Sequence, residues 1–163
     1  MRRLFCVATA FLALFLGLSP AVWASPSTQV QATGIVPFQN HTQTLLRAAD
    51  GNFTFSAVDV VAFSGGVSGT AIDTYTFTVH PDGSTTSQGI ETCSTCTIGG
   101  KTGGYTEVFS FTATPNFATF EGSFAVLGGT GGLSGLRGEG TFQGGAAATG
   151  FSETVMLNYH FEP

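Results

Sequence analysis

Two carboxylates stand where apolar side chains are expected. Glu107 shares strand parity with Tyr105, Phe109 and Phe111, and Asp59 shares it with Phe53, Phe55, Val61 and Phe63. Residues two apart on a strand point to one face, so each carboxylate falls on an aromatic surface. Such a group is partnered, sits near a strand end, or faces a polar pocket. A bulge or strand end would return it to water; a cavity would let it tune charge on a bound molecule. Arg137 and Glu139 form a second candidate pair, two apart in a glycine-rich stretch and therefore on one face. They can act as a polar pair at the mouth of a binding site, with the planar guanidinium as an anion clamp. Equally, they can fix the surrounding loop, whose carbonyls need donors.

Cys93-Ser94-Thr95-Cys96 is a C-x-x-C. In a cytosolic α/β protein this spacing is often redox-active. Here no helix follows and the flanks read as a β turn, so a local disulfide pinning that turn is expected. Two cysteines with no paired Cys or His spacing do not make a zinc site. His41, His80 and His160 are scattered, and no nucleophile motif accompanies them.

The elements that must hold these groups are strands. Runs rich in Phe, Thr and Val alternate with Gly, Asn and Asp clusters. The candidate strands are Thr33–Gln39, Gln43–Ala49, Asn52–Ser64, Gly69–His80, Ser84–Thr92, Gly104–Ala113, Ala118–Leu127, Gly138–Gln143 and Phe151–Phe161. Asp50-Gly51-Asn52 and His80-Pro81-Asp82-Gly83 are hairpin turns by composition. No segment reads as an amphipathic helix of ten residues, although Gly128–Gly135 can hold a short helical turn. Alternation is clear in Val155, Leu157, Tyr159 and Phe161, and in Phe120, Gly122, Phe124 and Val126. Roughly eight antiparallel strands of this kind predict an all-β fold, a sandwich or an up-and-down barrel. A barrel removes the edges along which so Phe-rich a sheet would aggregate.

The start of the chain points to export. Met1-Arg2-Arg3, an apolar run from Leu4 to Leu18 and small residues before Ala24 have the pattern of a cleavable signal peptide over 1–24. Cys6 leaves with it. Residues 25–32 read as a polar lead-in, and 33–163 as one domain, periplasmic or extracellular, large enough to bury a core. Past Ala24 the bases are Arg47, Lys101 and Arg137, against ten acids. That balance argues against nucleic acid and anionic membrane surfaces as partners. No second apolar stretch is long enough to span a bilayer. Charged residues are only 9 % of the chain, far below the usual quarter, which fits an outer surface partly covered by another subunit.

Leu127–Gly140 reads L-G-G-T-G-G-L-S-G-L-R-G-E-G, with Gly128, Gly129, Gly131, Gly132, Gly135, Gly138 and Gly140. Together with Phe120-Glu121-Gly122-Ser123-Phe124 before it and Leu157-Asn158-Tyr159-His160-Phe161-Glu162 after it, this stretch resembles the allene oxide cyclase-like superfamily. That group includes plant allene oxide cyclases and dirigent proteins, and the chain is most similar to an uncharacterised bacterial branch. The similarity is best over Thr92–Pro163. It implies an eight-stranded antiparallel barrel, often trimeric, that binds a hydrophobic or aromatic small molecule at its mouth with no metal or organic cofactor. Three functions follow: a binding barrel for a hydrophobic small molecule, a cofactor-free cyclase or isomerase steering ring closure or coupling, and a structural barrel with a packed interior. The contents of the interior discriminate among them.

Overall fold

The computed structural model describes residues 26–163; the expected signal peptide lies outside the described residues. The chain forms nine strands: β1 Thr28–Pro37, β2 His41–Ala49, β3 Asn52–Gly65, β4 Val67–Val79, β5 Thr85–Ile98, β6 Lys101–Ala113, β7 Phe120–Gly131, β8 Leu136–Ala147 and β9 Gly150–Phe161. Short 3-10 turns at Phe38–Asn40 and Pro115–Phe117 complete the described elements. No helix among the described residues is long and apolar enough to cross a membrane.

All neighbours pair antiparallel, from β3 round to β9 and on to β1. β1 then pairs with the second half of β3, from Ala32 opposite Gly65 to Ile35 opposite Ala62. This closes an eight-stranded barrel. β2 is the extra strand, pairing with the first half of β3 from His41 opposite Asp59 to Ala49 opposite Asn52. The break at Phe38–Asn40 lets one stretch of chain cover both halves of β3, first as β1 and then as β2.

The first strand starts earlier than its composition indicates. Thr28 already pairs with Tyr159, so most of the segment expected as a lead-in belongs to the sheet. Its polar residues, Gln29, Gln31 and Thr33, alternate with Ala32 and Gly34, which are buried. The C-x-x-C motif also differs from expectation. Cys93 and Cys96 do form a disulfide, but within β5, across a bulge where Cys93 faces Tyr105 and Cys96 faces Gly103. The small polar residues Ser94 and Thr95 that resembled a turn are the bulged residues. Replacing both cysteines by serine should lower stability by about 1–2 kcal/mol, the loop-closure value for so short a loop, read as a shift in denaturant midpoint.

The two barrel ends differ. At one end lie the turns between β4 and β5, β6 and β7, and β8 and β9, with the β2–β3 hairpin. The other end is plugged. There the glycine loop turns at Gly132–Gly135 through successive bonds from Leu133 N to Thr130 O and Ser134 N to Gly131 O. Gly135 takes φ +75°, a conformation glycine adopts without strain. The loop drives Leu133 and Leu136 into complete burial beside Ile98, Val67 and Leu157. Leu133→Ala should cost about 2–5 kcal/mol, the range for a fully buried leucine, measurable by chemical denaturation.

Candidate functional site

The barrel interior is acidic. β3, β4, β5 and β6 each turn one carboxylate inward, and the four are direct register partners: Asp59 opposite Asp73, Asp73 opposite Glu91, and Glu91 opposite Glu107. Along the β2–β3 ladder, His41 of β2 is paired with Asp59 and extends the row. β9 adds Glu153, which faces Gly34 across the β1–β9 ladder. A Cβ on Gly34 would lie 2.8 Å from Glu153 Cγ and 2.9 Å from the Phe63 ring. Glycine is therefore the residue that lets this glutamate reach the interior. Like charges directly opposite on a sheet repel, so the row is an expense in the fold rather than a source of stability.

These groups border a cavity of about 360 Å³. Its walls combine Asp59, Asp73, Glu91, Glu107 and Glu153 with Tyr75, Tyr105 and many phenylalanines. Phe109, Phe111, Phe120, Phe124 and Phe142 line the barrel on β6, β7 and β8, while Phe38, Phe117 and Phe151 stand at the end away from the glycine loop. Rings there meet edge to face, Phe38 with Phe151 at 5.5 Å and Phe77 with Phe117 at 5.8 Å between centroids. Phe38 is 50 % exposed, and exposed Gln43 shares the lining, which marks this end as the mouth. No Lys or Arg lines the cavity among the described residues.

Hydrogen bonds satisfy part of the row. Tyr75 Oη donates to Asp59 Oδ2 at 2.9 Å, and His41 Nδ1 lies 2.6 Å from Asp59 Oδ1. Tyr105 Oη donates to Glu91. Asp73 stands directly opposite Glu91, and its Oδ1 is buried with no hydrogen-bond partner. The electrostatic consequences follow from crowding. Burial, then the Glu91 charge, holds Asp73 well above the ordinary aspartate range. Burial and the charges of Glu91 and Glu153 do the same to Glu107. Glu153 is pushed up to about 8 by burial and by Glu91 and Asp59. Glu91 is raised by burial, against the lowering effect of its bonds from Tyr105 and Asp73. His41 is raised by its hydrogen bond to Asp59. Burial also pushes both tyrosine hydroxyls up, so they remain donors.

The sequence candidates divide cleanly. Asp59 and Glu107 face the cavity together. Arg137 and Glu139 do not line it. Arg137 donates to Leu136 O at 3.0 Å and Leu127 O at 3.4 Å, and pairs with Glu162 Oε2 at 3.0 Å. It therefore tethers the glycine segment to the C-terminus. Glu139 is exposed on the outer face of β8. Among the glycines, Gly128, Gly129 and Gly131 end β7, Gly132 and Gly135 form the turn, and Gly138 and Gly140 lie within β8. Asp73, Glu91 and Glu153 went unread. Asp73 stands two before Tyr75, and Glu153 two before Val155, so parity alone places both on inward faces. No group of three or more His, Cys, Asp or Glu among the described residues is placed to hold a metal ion.

Comparison with known proteins extends the fold and not the chemistry. No family profile matches the sequence, and no curated protein does. Among solved structures, a DUF3224-family protein of unknown function from Shewanella oneidensis MR-1 is similar, with a TM-score of 0.63 at 17 % identity, covering 84 % of this chain and 98 % of that one.

Proposed function

We propose that this protein is an exported barrel that holds a small, largely hydrophobic molecule in its interior. The observation carrying this reading is the cavity of about 360 Å³ inside a closed barrel. A small barrel with a purely structural role fills its interior with side chains, and natural cores leave few voids larger than a water. Here the interior keeps open space, and phenylalanines supply the apolar wall typical of ligand sites with a few polar groups. The resemblance of the glycine segment to allene oxide cyclase-like proteins points the same way, and with it goes a trimeric assembly.

A second reading, a cofactor-free cyclase or isomerase, has its own support. Carboxyls whose pKa is raised by burial and crowding are suited to general-acid work: Glu107 is raised well above the ordinary glutamate range and Glu153 to about 8. Orientation inside the barrel would supply much of the rate.

Native mass spectrometry of the mature protein from its exported fraction, followed by denaturing extraction, tests the binding reading and reports the oligomeric state. The expected result is a bound small hydrophobic molecule. A bare protein that also fails to take up the neutral dye N-phenyl-1-naphthylamine would overturn it. Turnover of the extracted molecule, lost in Glu107→Gln, would favour the enzyme.

A further inference from the structure

We propose that the cavity takes an organic cation, an alkyl amine with an apolar and preferably aromatic body, bound with its ammonium against the carboxylate row and its body among the phenylalanines of the mouth. This deepens the binding reading above and rests on it.

The row calls for an explanation that the fold does not provide. Four carboxylates in direct register across β3, β4, β5 and β6, with Glu153 from β9, are balanced inside only by His41. The basic side chains beyond the signal segment are engaged or placed elsewhere. Arg137 holds Glu162, Lys101 lies 3.7 Å over the Phe161 ring, and Arg47 is exposed on β2. The inward faces of β1, β7 and β8 bring only apolar residues to the lining. The groups facing the row are therefore Asp59, Asp73, Tyr75, Glu91, Tyr105, Glu107, Glu153 and His41.

The missing component is a donor. Asp73 borders the cavity, and its Oδ1 is buried without a hydrogen-bond partner, an arrangement that favours any donor able to reach it. An ammonium brings three donors and no acceptor, the complement of an acceptor-rich wall. The order of groups along the barrel fits an amphipathic molecule. The four acids of the row lie midway along their strands, and Phe109, Phe111, Phe117, Phe142 and Phe151 lie toward the mouth. Aromatic faces favour a cation during entry and an apolar body afterwards. The absence of a metal-ligating cluster among the described residues favours a cation of organic size. The same acids disfavour a carboxylate or phosphate ligand.

Entry of a cation favours the ionised carboxylates and releases protons they hold. Affinity for an amine should therefore rise with pH, up to tenfold per pH unit for each proton released. An aliphatic ammonium stays charged throughout this range, its pKa being near about 10.4. A neutral acceptor would show the reverse, because it needs the protonated acids as donors.

The test is calorimetric titration of the mature protein at pH 6, 7 and 8 with 4-phenylbutylamine and, as its neutral counterpart, 4-phenylbutan-1-ol. Buffers of different ionisation heat count the protons released. The expected result is an amine at least about tenfold tighter than the alcohol at pH 8. Its advantage should grow from pH 6 to 8 with release of about one proton, and shrink in Asp73→Asn and Glu107→Gln. Equal or tighter binding of the alcohol overturns the cation and leaves the hydrophobic site standing. Binding of neither overturns both. The wild-type comparison decides the matter even if a variant fails to fold.

Discussion

The ligand-free protein should lose stability as the pH rises from 5 to 9, the reverse of ordinary acid denaturation. Asp73, Glu91, Glu107 and Glu153 are all raised in the folded state. A group whose folded pKa lies above its unfolded value keeps its proton in the native chain after the unfolded chain has lost it. Its stabilising contribution is complete below the unfolded pKa and is lost as pH climbs through the folded one. For Glu153 that window runs from 4.5 to about 8. Each proton retained only by the folded chain lowers stability by about 1.4 kcal/mol per pH unit. His41 adds to the trend, since its raised value also favours the acid side. Thermal melts at pH 5, 7 and 9 measure this directly. A melting temperature that rises steadily over that range would contradict the buried-acid arrangement.

Asp73→Asn should make the protein more stable at pH 9, by about 1–3 kcal/mol, the scale of one buried unsatisfied polar group, and should change it much less at pH 5. Asparagine has nearly the same shape and carries no charge into a site crowded by Glu91, Glu153 and Asp59. Replacing an uncompensated buried charge with a neutral isostere commonly stabilises a fold, whereas stranding one partner of a true ion pair destabilises it. Denaturant midpoints at the two pH values separate these cases. Equal destabilisation at both would mean that Asp73 works as an ordinary structural hydrogen-bond partner. The residue that improves the fold when neutralised is then one retained for what it does in the cavity.

The strands were legible because their signals are local. Alternation of Phe and Val with Thr, and turns such as Asp50-Gly51 and His80–Gly83, are written within a few residues. All nine candidate segments correspond to strands. The closure of β1 onto β3 and the role of β2 as an extra strand were not legible, because both depend on which half of β3 each segment meets. Asp59 and Glu107 stood out because aromatic neighbours share their parity. Glu91 did not: its inward companions on β5 are Thr85, Ser87, Gly89 and Cys93, which carry no aromatic pattern to interrupt. The row itself is a property of register between strands, so one sequence read strand by strand cannot display it. Arg137 illustrates the opposite case. Its spacing from Glu139 resembled a functional pair, yet its contacts are the carbonyls of Leu127 and Leu136 and the carboxylate of Glu162.

The most direct measurement is a carbon-13 NMR titration of the mature protein labelled at its Asp and Glu side-chain carboxyls, assigned by single Asn and Gln substitutions. If the interior is the acidic cavity described, the carboxyls of Asp73, Glu91, Glu107 and Glu153 will titrate above the ordinary values of 3.8 and 4.5, with Glu153 near about 8, and will move when 4-phenylbutylamine is added. Ordinary titration of all four, unmoved by the amine, would mean that these side chains meet bulk water and that no acidic binding cavity exists.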